Sequence, residues 1–439
     1  MPLLLCVTAI LLLILLVVYF KFDTFISFLL VSIGLGVAVG MDIHQISAAI
    51  TKGIGNTMGP LIIILGFGAM LGKLVADSGA AQQITDSLTK IFGTKYIQWG
   101  MALAGLIIGI PLFYTAGFIV VVPLIFAIAA TTKLPLLYVG IPMLAALSVA
   151  HGFLPPHPSP TAIAEQLHAN MSRTLIYGII VAIPTISIAG PLFAKTLKRY
   201  KPKPSNNILK IEPMPESERP TIGISLFTAL MPVILLAVTA LILFIVSPKS
   251  FLGGIMEFIG DPNIAMLLSV LVAIYFLGMK RGKKIPVIMK QLEEAFKSIS
   301  VILLIIAGSG IFMQMMSDGG ISIYIGHILK DMQLSPLILG WLIAAIIRVC
   351  IGSATVAGLT TVGIMLPILG LNAHIRPELM VLSIGAGSLM FSHVNDGGFW
   401  LFKEYFNLTI KETFLTWTIM ETIVSVTGLI CVLILNQFA

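Results

Sequence analysis

Arg348 stands inside the apolar run "ILGWLIAAIIRVCIG", and Asp396 follows His393 by three positions in "FSHVNDGGFWLF" (391–402). A third stretch, "HGFLPPHPSPT" (151–161), packs His151, His157 and four prolines into eleven positions. These residue types define a narrow chemistry. A guanidinium forks onto a carboxylate through two parallel hydrogen bonds. Histidine titrates near neutrality, and a desolvated aspartate can be shifted towards that range. Charge pairing with an organic acid and proton exchange are therefore the candidate chemistries. Metal binding is not expected, because prolines separate His151 from His157 and no carboxylate or cysteine completes a ligand set.

The composition says where such residues must work. The chain has 439 residues, 58% of them hydrophobic and only 10% charged, with a mean hydropathy of +1.05. A soluble domain carries about a quarter charged residues, so this chain could not cover its own surface in water. Runs such as Leu3 to Phe20 and Gly223 to Val246 match the roughly 20 apolar residues that cross a bilayer. The fold class is an all-α polytopic membrane protein, since a lipid-exposed backbone must satisfy its own hydrogen bonds. No Lys or Arg precedes the first run and no small-residue cleavage site follows it, so it reads as a retained span. Cys6, Cys350 and Cys431 all lie in apolar segments and make neither a disulfide framework nor a metal spacing. The net charge of +7 does not point to nucleic acid. Nor does any nucleophile set or cofactor motif point to an enzyme.

Half of the 26 Lys and Arg lie in two connectors, seven in 195–219 and six in 280–297. Two spans, 223–246 and 263–279, separate them, so the positive-inside rule places both in the cytoplasm. The Pro-rich segment "KRYKPKPSNNILKIEPMPESERP" also marks a boundary. The expected organisation is an N-terminal transmembrane repeat (1–194), a basic cytoplasmic linker (195–222) and a C-terminal repeat (223–439). The repeat itself is visible in the letters. "GKLVADSGAAQQI" (72–84) aligns without gaps on "MQMMSDGGISIYI" (313–325), and the same offset pairs Ala116-Gly117 with Ala357-Gly358. A slightly larger offset sets "HGF" (151–153) over "GGF" (397–399). With 42–56 and 281–298 taken as connectors and 97–131 as two crossings, each half has an odd number of spans. The second half then enters the membrane inverted. The expectation is about 12–14 spans in two inverted-topology repeats with discontinuous helices, re-entrant hairpins being able to imitate crossings.

The broken stretches at 151–161 and 391–402 fall at matching positions in the two repeats. In lipid, irregular backbone is tolerated only where protein or an aqueous cavity receives it, and paired breaks point to a transport site. A solvated turn at each span end is the plainer alternative. A second pair, "GIPLFYTAGF" (109–118) and "RVCIGSATVAGLTT" (348–361), interrupts apolar runs with Gly, Pro, Ser and Thr. Unwound ends there would offer amides to an anion and hydroxyls to a polyol. Helix packing through small residues explains the glycines equally well, but Ser353, Thr355, Thr360 and Thr361 less so. Arg348 is a functional-site residue by its depth, facing either a substrate carboxylate or a buried partner such as Asp396 or Asp318, unless it snorkels to an interface. Asp77 and Asp318, each before a Gly-containing turn, read as caps of the helices that follow.

At these residues the sequence strongly resembles the gluconate permease family, the gluconate:proton symporters of the wider ion-transporter superfamily. The resemblance is carried by "GFGAMLGKLVADSGAAQ", "LPLLYVGIPMLAALSV" with "HGFLPPHPSPTAIA", "GSATVAGLTT" and "FSHVNDGGFWLFKEYFNLT", and it covers essentially the whole chain. It implies proton-driven uptake of gluconate or another sugar acid across the bacterial inner membrane. Relatives of this kind also carry idonate, fructuronate or D-serine. Arg348, Gly352, Ser353, Thr355, Thr115, Asn395 and His151 are the substrate-binding candidates. Asp396, His151 and His393 are the proton-coupling candidates. No cofactor is implied, the remaining partner is membrane lipid, and a homodimer suits an inverted-repeat carrier. Three positions depart from the family pattern: Thr115 stands where relatives have an acidic residue, Ser159 where they favour Gly, and Gly397 where they favour Pro. The loss of an acid at Thr115 leaves a uniporter, or coupling through another group, as the alternative.

Overall fold

The structure is a computed structural model that describes residues 2–112, 114–200, 214–246, 250–321, 335–371, 375–393 and 396–438. Helices make up its regular structure, and no strand occurs among the described residues. This follows from apolar runs that must satisfy every backbone group internally. By length and composition, four helical stretches suffice to cross a membrane alone: Leu136–Gln166, Met171–Lys198, Pro262–Arg281 and Ile410–Leu435. Among the described residues three helix pairs bent by more than 40° are long enough together to form a broken span or a re-entrant loop, and eight apolar helices are shorter. The apolar runs counted in the sequence are thus divided between full spans and broken pieces.

Several boundaries differ from those expected. Residues 42–56 are not a connector but open the long helix Ile43–Asp77, started by a capping box between Asp42 and Gln45. It bends by 44° between Ile43–Gly59 and Leu61–Asp77, at Pro60, whose missing N–H removes a helical hydrogen bond. The connector 281–298 is likewise mostly helix, Ile285–Ser298. The run 223–246 is two helices, Ile222–Ala229 and Met231–Leu243, bent by 61°; Pro232 stands in the first turn of the second. Asp77 does not cap the next helix. Gly79 holds that position without a side-chain bond, and Asp77 instead receives Lys73 Nζ at 3.1 Å and Gln291 Nε2 at 3.0 Å. Asp318 receives Gln314 Nε2 at 2.8 Å, and the segment it is expected to cap lies outside the described residues.

The element boundaries follow the sequence repeat. The bent helix 43–77 corresponds to the pair Ile285–Ser298 and Leu303–Asp318, bent by 43°. The pair Ile97–Gly109 and Tyr114–Thr132 corresponds to Pro336–Ile351 and Ala354–Leu371. Leu136–Phe153 followed by Pro158–Gln166 corresponds to Pro377–Gly387 followed by Gly397–Phe406. Equivalent helices also meet head to tail. Gly53 lies against Gly310, and Gly66 against the Phe296 ring. Such isologous, antiparallel contact is what an axis lying across the helices produces, the arrangement of an inverted repeat. The helix pairs of about thirteen to nineteen residues rise only roughly 20–28 Å each at 1.5 Å per residue. The shortest of them fall below the length of a full crossing.

The described part of the basic linker is packed rather than free. Arg219 pairs with Asp86 at 2.5 Å and donates from Nε to the Met214 carbonyl at 2.7 Å. Met214 N donates to Gln82 Oε1 at 3.1 Å. These contacts hold residues 214–219 on the amphipathic helix Ala80–Phe92.

The crossing of the two bent helices tolerates no side chain. A Cβ on Gly53 would lie 2.6 Å from the Gly310 carbonyl oxygen, and one on Gly310 equally close to that of Gly53. Gly310→Leu is expected to lower stability in detergent by about 1–3 kcal/mol or prevent folding. Gly254→Ala, with open space around it, should leave the unfolding midpoint nearly unchanged. Thermal unfolding followed by size-exclusion chromatography compares the two.

Candidate functional site

The four interruptions singled out in the sequence meet around one cavity of about 1030 Å³. Its lining includes Tyr114, Ser148, His151, Pro158, Arg348 and residues 351–356. Asp396, Gly397, Gly398, Glu404, Trp417 and Glu421 also line it. Each break has a local cause. At 154–157 the chain leaves the helix through Leu154 and two prolines, and Pro158 begins the next helix, where a missing N–H costs nothing. At Gly352 the backbone turns left-handed, φ +82°, which glycine alone adopts freely. Ser353 Oγ then accepts Val356 N at 3.3 Å and starts the helix Ala354–Leu371. Asp396 caps the helix Gly397–Phe406 by accepting Gly398 N at 2.9 Å. Gly397 holds the first helical position, which also suits the proline expected from the family pattern.

Arg348 is 4% exposed, so it does not snorkel out. It lies in the last turn of Pro336–Ile351, where a cation also meets the negative end of the helix. One terminal nitrogen donates to the Gly352 carbonyl and the other to Asp396 Oδ2 at 2.5 Å. Its Nε–H has no partner among the described residues. Asp396 also receives Ser392 Oγ, which itself accepts Trp417 Nε1 at 2.8 Å. Thr418 Oγ1 secures the Ser392 carbonyl at 2.5 Å. The ion pair therefore ties the end of one broken element to the start of another. Aromatic rings back it: Trp417 stacks on Phe402 at 5.1 Å and meets Tyr114 and Phe118 at 6.3 Å.

His151 faces the same space. Its ring lies 5.3 Å from Tyr114 and 5.5 Å from His157, and its Nδ1 is buried without a hydrogen-bond partner among the described residues. His157 is turned into the packing, with Nε2 2.5 Å from the Gly109 carbonyl. Gly352, Ser353 and Thr355 line the cavity with Arg348. His393 is not part of the lining; its Nε2 lies 2.9 Å from the Val349 carbonyl. Thr361 donates to the Ala357 carbonyl at 2.7 Å, and neither it nor Thr360 reaches the cavity. The Thr115 side chain and all of Asn395 fall outside the described residues.

The sequence reading missed two groups that the packing brings together. Glu421, 2% exposed on the helix Ile419–Leu435, accepts Ser148 Oγ at 2.5 Å at the cavity wall. Glu421 was open to the rule that singled out Arg348, being the lone charge in "WTIMETIVSVTGLICVLIL". Ser148 gave no such signal, because a hydroxyl in an apolar helix usually returns to its own backbone.

A helical membrane fold with broken helices around a cavity that holds a buried ion pair is the plan of a carrier for small solutes. The chain belongs to the GntP family of permeases: the family model matches residues 1–438. It is 46% identical over 436 residues to the Gnt-II system L-idonate transporter of Escherichia coli (strain K12), covering 99% of each chain. It is 46% identical over 437 residues to the high-affinity gluconate transporter of the same organism, covering all of both. With the gluconate permease of Bacillus subtilis (strain 168) it shares 47% over 446 residues and 99% of each chain. The Alcanivorax borkumensis YdaH transporter has the same fold, with a TM-score of 0.68 at 16% identity over 94% of this chain and 98% of that one. MtrF of Neisseria gonorrhoeae gives a TM-score of 0.61 at 17% identity over 88% and 83%. The protein is a multi-pass permease of the inner membrane, and not an enzyme.

Loss of either partner of the ion pair leaves a buried charge unmatched. Asp396→Asn is expected to cost roughly 3 kcal/mol of stability. The Arg348→Gln/Asp396→Asn double variant should lose less than the sum of the single changes. Denaturation of the four proteins in one detergent measures the coupling.

Proposed function

We propose that this permease imports gluconate, coupled to protons. The observation that carries the reading is the buried Arg348 guanidinium, placed in a cavity bordered by hydroxyls and helix starts. No other Lys or Arg lines that cavity among the described residues. The names of the relatives in Escherichia coli and Bacillus subtilis support gluconate within the class of organic acids. In this reading the substrate carboxylate takes Arg348, through its spare Nε–H and by competing with Asp396 for the guanidinium. The amides that open the helix at Ala354 add donors for the same anion.

Ser353 and Thr355, together with Thr115 and Asn395, meet the substrate hydroxyls, and His151 Nδ1 supplies a further polar contact. Recognition by buried donors and acceptors is selective, because an analogue lacking a hydroxyl leaves them unpaired. His393, a candidate for proton coupling, is set aside from that role by its position outside the lining. The two halves, 1–194 and 223–439, move against each other around the cavity, joined by the linker 195–222 on the cytoplasmic side. L-idonate is the second reading, supported by the 46% identical L-idonate transporter; it has the same carboxylate and a different hydroxyl configuration.

Uptake of labelled gluconate into proteoliposomes, with and without an inward proton gradient, tests the proposal. Accumulation that collapses with the gradient is the expected result. Gradient-insensitive equilibration would replace symport by uniport, and L-idonate uptake in the absence of gluconate uptake would replace the substrate. Arg348→Lys keeps the charge but loses the planar fork, and is expected to reduce uptake by roughly tenfold or more.

A further inference from the structure

Glu421 has a place in the cavity that the roles above do not use. Its Oε1 takes the Ser148 hydroxyl at 2.5 Å. Its Oε2 is buried with no hydrogen-bond partner among the described residues. No Lys or Arg is bonded to it among those residues, and the one guanidinium of the lining is engaged by Asp396 and the Gly352 carbonyl. A bare carboxylate in such a place loses its hydration without receiving a counter-charge. Tyr114, His151, Arg348, Asp396 and Glu404 share its cavity; Glu404 is paired with Lys403 at 2.7 Å, and Tyr138 on Leu136–Phe153 lies under Lys198. Cys431 is on its own helix and Cys350 on Pro336–Ile351. On the other helices packed against it, Tyr177 bonds Arg376 at 3.2 Å. Glu378 takes Asn170 N at 3.3 Å, beside Arg173. That second cluster is absent from the cavity lining.

We propose that Glu421 is the carboxyl group that carries the coupling proton. The inference rests on the carrier reading above and supplies the group that Thr115 lacks. The charge count makes the coupling. With Glu421 ionised, one guanidinium would face Asp396, Glu421 and the substrate carboxylate together. A proton on Oε2 removes one of these negative charges, so the anion binds the protonated form better. Linkage then requires that the anion promote proton uptake by the same factor. One proton enters with each substrate anion and leaves Glu421 on the cytoplasmic side, so net charge movement per cycle is zero. Ser148 marks the acceptor oxygen and leaves Oε2 as the site of the proton.

The sign follows directly: apparent affinity for gluconate rises as pH falls. Across the titration of Glu421 the change should be about tenfold. Glu421→Gln keeps the acceptor for Ser148 and cannot exchange the proton. In proteoliposomes it should lose gradient-driven accumulation while the ratio of counterflow exchange to driven uptake rises about tenfold. Its affinity should no longer follow pH, and Glu421→Asp should restore part of the dependence. Wild-type uptake should respond to a pH gradient and not to a membrane potential imposed with valinomycin.

Infrared spectroscopy of the substrate-free protein decides the role independently of the substrate. The wild type should show a deuterium-sensitive carboxylic C=O band that titrates with pH, and Glu421→Gln should lack it. Full accumulation by Glu421→Gln, or the same band in both proteins, would overturn the proposal. Failure of the wild type to carry gluconate with the band present would overturn only the choice of substrate.

Discussion

The ion pair between Arg348 and Asp396 is the contact on which the cavity depends. Each residue sits at a helix terminus, and the pair joins the end of Pro336–Ile351 to the start of Gly397–Phe406. Neither charge could stay so deeply buried alone. The remaining bonds serve this pair: the Gly352 carbonyl, the Gly398 amide, and Ser392 held in turn by Trp417 and Thr418. Such a network, with only the Arg348 Nε–H left without a partner among the described residues, fixes two broken ends at one distance. It is also open to change, because a carboxylate from outside offers Arg348 the same bond as Asp396.

The interruptions explain how a very apolar chain can hold a polar site. A continuous helix satisfies its own backbone and shows only side chains to a ligand. A helix that stops in the middle of the protein exposes amides or carbonyls, which protein or solute must receive. Here Gly352 and the prolines of 155–156 each end a helix, and Pro158 and the Asp396 cap each begin one, around one space. The first half presents His151, Pro158 and Tyr114, and the second presents Arg348, residues 352–355 and Asp396. The halves are alike in backbone and unlike in charge, so one repeat supplies the cation while the other supplies mostly rings and small polar groups. Glu421, on the last long helix, adds a fully buried acid.

Membrane class, helical fold, the internal repeat and the positions of the breaks were all legible in the sequence. Each depends on local quantities: mean hydropathy, proline and glycine placement, or letters recurring at a constant offset. Arg348 was legible for the same reason, as a charge in an apolar run. Bends were harder to read, since Pro60 and Pro232 sit in runs that still look like single spans. The helix 43–77 shows the limit most plainly, because its polar first half is stabilised by packing against the equivalent helix of the other repeat.

What only the tertiary structure decided is which polar groups meet. Asp396 as the partner of Arg348 joins positions 48 residues apart, and Ser148 with Glu421 joins positions 273 apart. No local pattern encodes such distances, and several acids and hydroxyls were equally eligible. His151 and His393 looked alike in the sequence, yet one turns into the cavity and the other bonds a carbonyl outside its lining. By itself the sequence determined where the backbone must break, because proline and glycine act on their own neighbours. The fold decided what those breaks surround, because a buried charge takes its meaning from the groups brought within hydrogen-bonding distance.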